Sequence, residues 1–262
     1  DGPVNSLVSI VLLTGLSGLL SALAASFFLA LSEPRRAAAV PHLVSFATGA
    51  LLGASFLGLL PHAMDTIGPG GAHRVGLALL LGILTFFLLE KFVLWRHCHD
   101  DPCEMHSPSH EARDAASARM ILAGDSFHNV LDGVLVAAAF MTDPRLGLVT
   151  ALAVCAHEIP QEVGDVAILL HGGYSRGRAL ALNLLTSLTS IVGGVIAYFA
   201  LATAVHLLPY ALAFAAASFI YVSVADLIPG LHRRVDLRAG LEQVLFIGLG
   251  VAVVYFTHQQ MH

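Results

Sequence analysis

Apolar residues run through this chain in long blocks separated by short polar joints, and the blocks lack the charged outer face of a soluble amphipathic helix. Eight such blocks can be drawn, at 6–31, 41–61, 75–95, 120–140, 146–170, 179–202, 209–229 and 239–257. At about 1.5 Å per residue each is long enough to cross a hydrocarbon core of about 30 Å. The joints hold residues that stop helices: Glu33-Pro34-Arg35-Arg36, Gly68-Pro69-Gly70-Gly71, Asp143-Pro144-Arg145, Gly172-Gly173 and His232-Arg233-Arg234. The pattern predicts an all-α integral membrane protein, a bundle of eight transmembrane helices. All of 1–262 is expected to form a single transmembrane domain whose one long connection is a loop at about 96–118.

Composition agrees, with 56% hydrophobic and only 12% charged residues, too few charges to solvate the surface of a soluble helical protein of this size. The basic residues give an orientation. Arg35, Arg36, Lys91, Arg96, Arg113, Arg119, Arg176, Arg178, Arg233, Arg234 and Arg238 fall in or beside the odd-numbered connections, against Arg74 and Arg145 in the even ones. By the positive-inside rule both termini are extracytoplasmic and the 96–118 loop is cytoplasmic. The first block is longer than a signal-peptide core and has no basic leader, so it is expected to be a retained span. A net charge of −5 without a basic, aromatic-interleaved patch argues against a nucleic-acid partner. Three cysteines make no disulfide framework: Cys98 and Cys103 lie in the cytoplasmic loop, and Cys155 reads as a small core residue of the fifth span.

Two polar constellations interrupt the apolar pattern, His128-Asn129-x-x-Asp132-Gly133 in the fourth span and His157-Glu158-Ile159-Pro160-Gln161-Glu162 in the fifth. Ionisable residues are expensive in lipid and mark ion pathways. Helical spacing stacks His128 over Asp132, with Asn129 on the adjacent strip and Asp125 one turn earlier. On the fifth span His157 and Gln161 form one stack, Glu158 and Glu162 a second, and Asp165 continues it. Both motifs start about ten residues from a span end, hence near the bilayer centre.

Imidazoles and carboxylates together suit Zn²⁺ and also admit Fe²⁺, Mn²⁺ or Cd²⁺, as transported and bound substrate with no catalytic cofactor. The residues divide into one site from His128, Asp132 and His157, joined by Gln161, and a second from Asn129, Glu158 and Glu162. Pro160 removes the amide partner of the Ala156 carbonyl and is expected to bend the fifth span. Asn183, Thr186, Ser187 and Thr189 in the sixth span read as polar glue between helices.

At these motifs the chain resembles the ZIP (Zrt/Irt-like) family of divalent-metal transporters, in its bacterial type. Weaker echoes are Leu60-Pro61-His62-Ala63, Asn183-Leu184-Leu185-Thr186, and Phe219-Ile220-Tyr221 through Asp226 and Pro229. The resemblance implies a binuclear metal site between spans four and five. It further implies an elevator-like motion of spans one, four, five and six against two, three, seven and eight, and import toward the cytoplasm across the inner (plasma) membrane. Many relatives nearest this pattern have a second His where Gln161 stands, an Asp and a His at Ala54 and Gly58, and a Glu at Gly230. Entrance and exit ligands are therefore open to change. His62 is the candidate for the metal entrance, with Asp125, Asp165, Asn183 and Asp226 as accessory positions.

The tract His97-Cys98-His99-Asp100-Asp101-Pro102-Cys103-Glu104-Met105-His106, with His110 beyond, is dense in ligands, yet its spacing fits no closed four-ligand site. It reads either as a metal-sensing loop or as a solvated one. His258 and His262 are weaker candidates. Gly193, Gly194, Gly248 and Gly250 could allow close sliding contacts. The expected partners are divalent metal ions and the lipid bilayer, and a homodimer is compatible with the sequence. Two alternatives stand beside transport. One is a non-transporting metal sensor. The other is an intramembrane zinc metalloprotease, suggested by His157-Glu158 and Leu131-Asp132-Gly133; against it, position 161 is not His, Pro160 distorts the spacing, and the order of the two segments is reversed.

Overall fold

The computed structural model describes residues 3–99, 110–171, 173–232 and 236–259, which are helical or in short turns, with no β-strand among the described residues. The first span is α1 (Pro3–Ala30). The second is α2 (Glu33–Gly53), a π-helical stretch (Ala54–Leu59) and α3 (Leu60–Ile67). Then come α4 (Ala72–His99), α5 (His110–Thr142) and α6 (Pro144–His171). The sixth span divides into α7 (Arg176–Ser187) and α8 (Thr189–Thr203). A 3₁₀ turn (Val205–Leu207) leads to the seventh, made of α9 (Leu208–Tyr221), a second π-helical stretch (Val222–Leu227) and α10 (Ile228–Leu231). The last is α11 (Leu237–Gln259).

Among the described residues six stretches are long and apolar enough to cross a membrane, within α1, α2–α3, α4, α7–α8, the segment from the 3₁₀ turn to α10, and α11. The two absent from that set, α5 and α6, are those carrying the polar motifs, whose side chains lower the apolarity of otherwise equivalent rods.

Several element ends differ from the sequence reading. The second span begins at Glu33, not at Pro41. Pro34 sits in the first turn, where its missing amide costs nothing, and Pro41 is carried inside the helix. The long connection is shorter than expected, because α4 continues to His99 and α5 begins at His110.

Neither π-helical stretch was foreseen. Each ends two residues before a proline: Pro61 leaves the carbonyl of Leu57 without its amide, and Pro229 does the same to that of Ala225. The backbone answers with a wider turn, in which Leu60 N–H donates to Ser55 O and Ile228 N–H to Ser223 O, each five residues back.

Packing divides the helices into two sets. In one, α5 lies along α8 and α1 along α6, with α7 against both α1 and α5; in the other, α2 lies along α11, and α4 and α3 flank α9. The sets meet chiefly where α6 faces α2 and α11 and where α5 faces α9.

Glycines build the pairs inside each set. A Cβ on Gly133 would fall 1.8 Å from the Ser190 carbonyl oxygen, and one on Gly193 would fall 1.9 Å from that of Val130, so α5 and α8 cross backbone to backbone. Gly49 and Gly250 do the same for α2 and α11. Of the four glycines considered for sliding, Gly193, Gly194 and Gly250 therefore fasten helices within a set, while Gly248 has nothing within 4 Å.

Candidate metal centre

The centre is built where α5 and α6 run side by side, each presenting residues one turn apart. His128 Nε2 lies 3.7 Å from Asp132 Oδ2 and 3.7 Å from Glu158 Oε1. His157 Nε2 lies 3.1 Å from Asp132 Oδ2, 3.5 Å from Glu158 Oε1 and 3.1 Å from His128 Nε2. All four ligand atoms fall within 4.8 Å of one another. A tetrahedral ion with bonds of about 2.0–2.1 Å holds its ligands about 3.3–3.4 Å apart, so these separations need only small adjustment to close on one cation.

The tautomer of His157 suits that role. Its Nδ1–H donates to the Ala153 carbonyl at 3.2 Å, leaving Nε2 with a free lone pair when the ring is neutral. Asp132, His157 and Glu158 are almost wholly buried, while His128 is partly exposed. Neither oxygen of Asp132 or of Glu158 accepts a hydrogen bond. Buried carboxylates without donors are costly unless a cation or proton joins them.

A second group lies beside the first, where Asp125, Glu158 and Glu162 bring oxygens within 4.8 Å of one another. Ser187 donates from its hydroxyl to Glu162 Oε1, tying α7 to α6, while Glu162 Oε2 and Asp125 Oδ2 accept no bond.

Two expected ligands have other partners. Asn129 Nδ2 donates to Asp125 Oδ1 at 2.9 Å and to the Asp125 carbonyl at 3.1 Å, and Gln161 Nε2 donates to Asp125 Oδ1 at 3.3 Å. Both amides hold Asp125, which the sequence reading had ranked as accessory.

A cavity of about 530 Å³ reaches this centre and is lined by His128, His157, Asp125, Gln161, Asp165 and Asp226, with Phe86, Tyr221 and Leu227 among its apolar walls. Its residues come from the middle of α2 and α5 and from the middle and second half of α4, α6 and the seventh span, and it opens toward the end of the bundle where α2 and α5 begin and α4, α6 and the seventh span finish. Toward the other end the helices close on apolar side chains, among them Leu59, Leu135, Ala139, Leu146, Val149 and Leu212. Access to the centre is one-sided.

The remaining candidates stand apart. His62 lies toward the far end, its Nδ1–H donating to the Gly58 carbonyl at 3.0 Å. Asn183 is fully buried in α7, and neither atom of its amide is hydrogen-bonded. Thr189 Oγ1 shares one proton between the Thr186 carbonyl at 2.6 Å, in the turn before it, and the Ser126 carbonyl of α5 at 2.9 Å. α6 stays one continuous helix through Pro160. His97, Cys98 and His99 lie in the last turn of α4 without described side chains, and Cys103, His106 and His262 lie outside the described residues.

A helical bundle with long apolar spans and a buried centre of imidazoles and carboxylates open to one end defines a polytopic membrane protein whose ligand cluster could hold a metal ion. Residues 94–258 match the model of the family described as ZIP Zinc transporter, and the chain belongs to that family. Zinc transporter ZIP13 of Pongo abelii is 34% identical over 227 residues, which cover 81% of this chain and 65% of that protein. ZIP13 of Mus musculus is 33% identical, covering 81% and 68%, and Zinc transporter SLC39A7 of Mus musculus is 29% identical, covering 85% and 63%. The chain thus spans about two thirds of the length of these relatives. They are eukaryotic, so the bacterial type expected from the motifs finds no support. The family is one of transporters, which sets the metalloprotease alternative aside.

Proposed function

We propose that this protein carries divalent transition-metal ions, Zn²⁺ first among them, across a membrane toward the cytoplasm. The observation that carries the reading is the one-sided access to a buried ligand cluster, which is what one state of an alternating-access carrier requires. The end on which the cavity lies is also the end where the basic residues gather, so by the positive-inside rule the cavity faces the cytoplasm, with both termini extracytoplasmic; the inner (plasma) membrane as location rests on the family resemblance alone. The relatives' names supply zinc; the donor set also admits Fe²⁺, Mn²⁺ and Cd²⁺.

The centre is binuclear in this reading. One ion sits between His128, Asp132, His157 and Glu158, and a second between Asp125, Glu158 and Glu162, with Glu158 shared. Transport then moves the set of α1, α5, α6, α7 and α8, carrying the ions, past the set of α2, α3, α4, α9, α10 and α11. Single transmembrane domain and cytoplasmic ligand-rich tract belong to the same reading, with the tract free to take up the released ion.

The test is Zn²⁺ uptake into proteoliposomes by the wild type, His157→Ala and Asp132→Ala, with insertion checked in parallel. Each substitution removes one ligand of the first ion and is expected to abolish uptake. Wild-type rates in both variants at limiting metal would reject the site.

A further inference from the structure

Behind the first ion position, on the side away from the large cavity, lies a second and much smaller void of about 10 Å³. It is lined from α1 by Thr14, Ser17 and Gly18 and from α5 and α6 by Asn129, Asp132 and Glu158, with Ser190 of α8 beside them. Three of these residues carry buried polar atoms without hydrogen-bond partners. They are Ser17 Oγ, both oxygens of Asp132 and both oxygens of Glu158. Asp132 Oδ2 and Glu158 Oε1 are the atoms turned toward the imidazoles of the ligand cluster. Asp132 Oδ1 is left over, as is the hydroxyl of Ser17, whose other neighbour is the weakly accepting thiol of Cys155, while Glu158 also faces Asp125 and Glu162.

A void of this size holds one water, and water enters buried voids that offer it two to four polar partners. We propose that a single water occupies this void, accepting from the Ser17 hydroxyl and donating to Asp132 Oδ1 and to the Glu158 carboxylate. Thr14 and Ser190 cannot replace Ser17 as donors, because their hydroxyl protons go to the Ile10 and Ser187 carbonyls. The water fixes the outer oxygen of Asp132, and so aims its inner oxygen at the metal, and it steadies the Glu158 carboxylate between the two ion positions. Ser17 is thereby a positioning residue by its small size as much as by its hydroxyl: α1, which contributes no ligand, sets the geometry of the ligand cluster by leaving room for one ordered water.

The effect on affinity rests on the metal centre proposed above, whereas the water itself does not, so two arms are needed. The first is a high-resolution structure of the metal-free wild type. One peak within hydrogen-bonding distance of Ser17, Asp132 and Glu158 is expected; a dry void, or an anomalous metal peak in it after Zn²⁺ soaking, overturns the proposal. The second arm is Zn²⁺ affinity of the purified protein, by chelator competition, for Ser17→Val and Ser17→Ala beside wild type. Ser17→Val fills the void and expels the water, and is expected to weaken binding about tenfold at unchanged thermal stability, while Ser17→Ala keeps the water on the two carboxylates and stays within about threefold of wild type. A folded Ser17→Val that binds Zn²⁺ like wild type would overturn the positioning role. If Ser17→Val does not fold, the wild-type density alone decides whether the water is there. A wild type that binds no Zn²⁺ at all would instead reject the metal centre.

Discussion

At the scale of single residues the centre is a matter of which atoms remain unpaired. His157 commits Nδ1 to the Ala153 carbonyl and offers Nε2; Asn129 and Gln161 commit amide protons to Asp125; Glu162 takes a hydroxyl from Ser187. What remains for a cation is a set of carboxylate oxygens and two imidazole nitrogens. The ligand types and their one-turn stacking were legible in the sequence, since helical spacing alone puts His128 over Asp132. The pairing of Glu158 with the imidazoles, and of Asp125 with Glu162, was not, because it depends on how far α5 and α6 are rotated toward each other. Gln161 tests this division. Its bond to Asp125 puts it beside the proposed second ion position, so Gln161→His adds a nitrogen donor there and is expected to raise the Zn²⁺ to Mn²⁺ affinity ratio severalfold. Equilibrium titration with both ions measures it, and an unchanged ratio in a folded variant would remove position 161 from the vicinity of the metal.

At the scale of elements, the apolar blocks located the rods well, and what they concealed was irregularity within them. The π turns before Pro61 and Pro229 and the break at Leu188 are local backbone responses that a run of aliphatic residues does not announce. The glycines are more instructive still. In sequence Gly133, Gly193 and Gly248 look alike, yet only the first two lie where a neighbouring backbone leaves no room for a Cβ. Gly133→Ala must push α8 off α5 and is expected to cost about 1–3 kcal/mol of stability, as overpacking does. Gly248→Ala meets open space and is expected to stay within about 0.5 kcal/mol. Thermal unfolding in detergent compares the two; equal melting points would mean that the α5–α8 crossing is looser than the structure shows.

At the scale of the whole molecule two sets of helices share one bilayer. Orientation is checked by single cysteines in a background lacking Cys98, Cys103 and Cys155: Thr66→Cys and Thr142→Cys are expected to react with an impermeant reagent from outside, and Ser175→Cys is not. Relative motion needs a different experiment, one that separates a bond across the two sets from a bond within one. Two glycine contacts supply the matched pair. A Cβ on Gly58, in the π-helical stretch of the second span, would lie 3.1 Å from Leu146 Cδ1 of α6, across the sets; one on Gly15 of α1 would lie 3.3 Å from Ile191 Cδ1 of α8, within a set. Cysteines at Gly58 and Leu146, joined by a short thiol cross-linker, hold α6 against the second span in the arrangement of this structure. Cysteines at Gly15 and Ile191, joined in the same way, fasten two helices that the elevator reading keeps together throughout. Metal uptake is therefore expected to stop in the first pair and return when a cleavable linker is reduced, and to persist in the second. If the pair within the set also blocks uptake, α1 and α8 move against each other during transport, and the division into two rigid bodies is wrong; if the pair across the sets transports while cross-linked, ions reach the centre without any sliding of α6 along the second span.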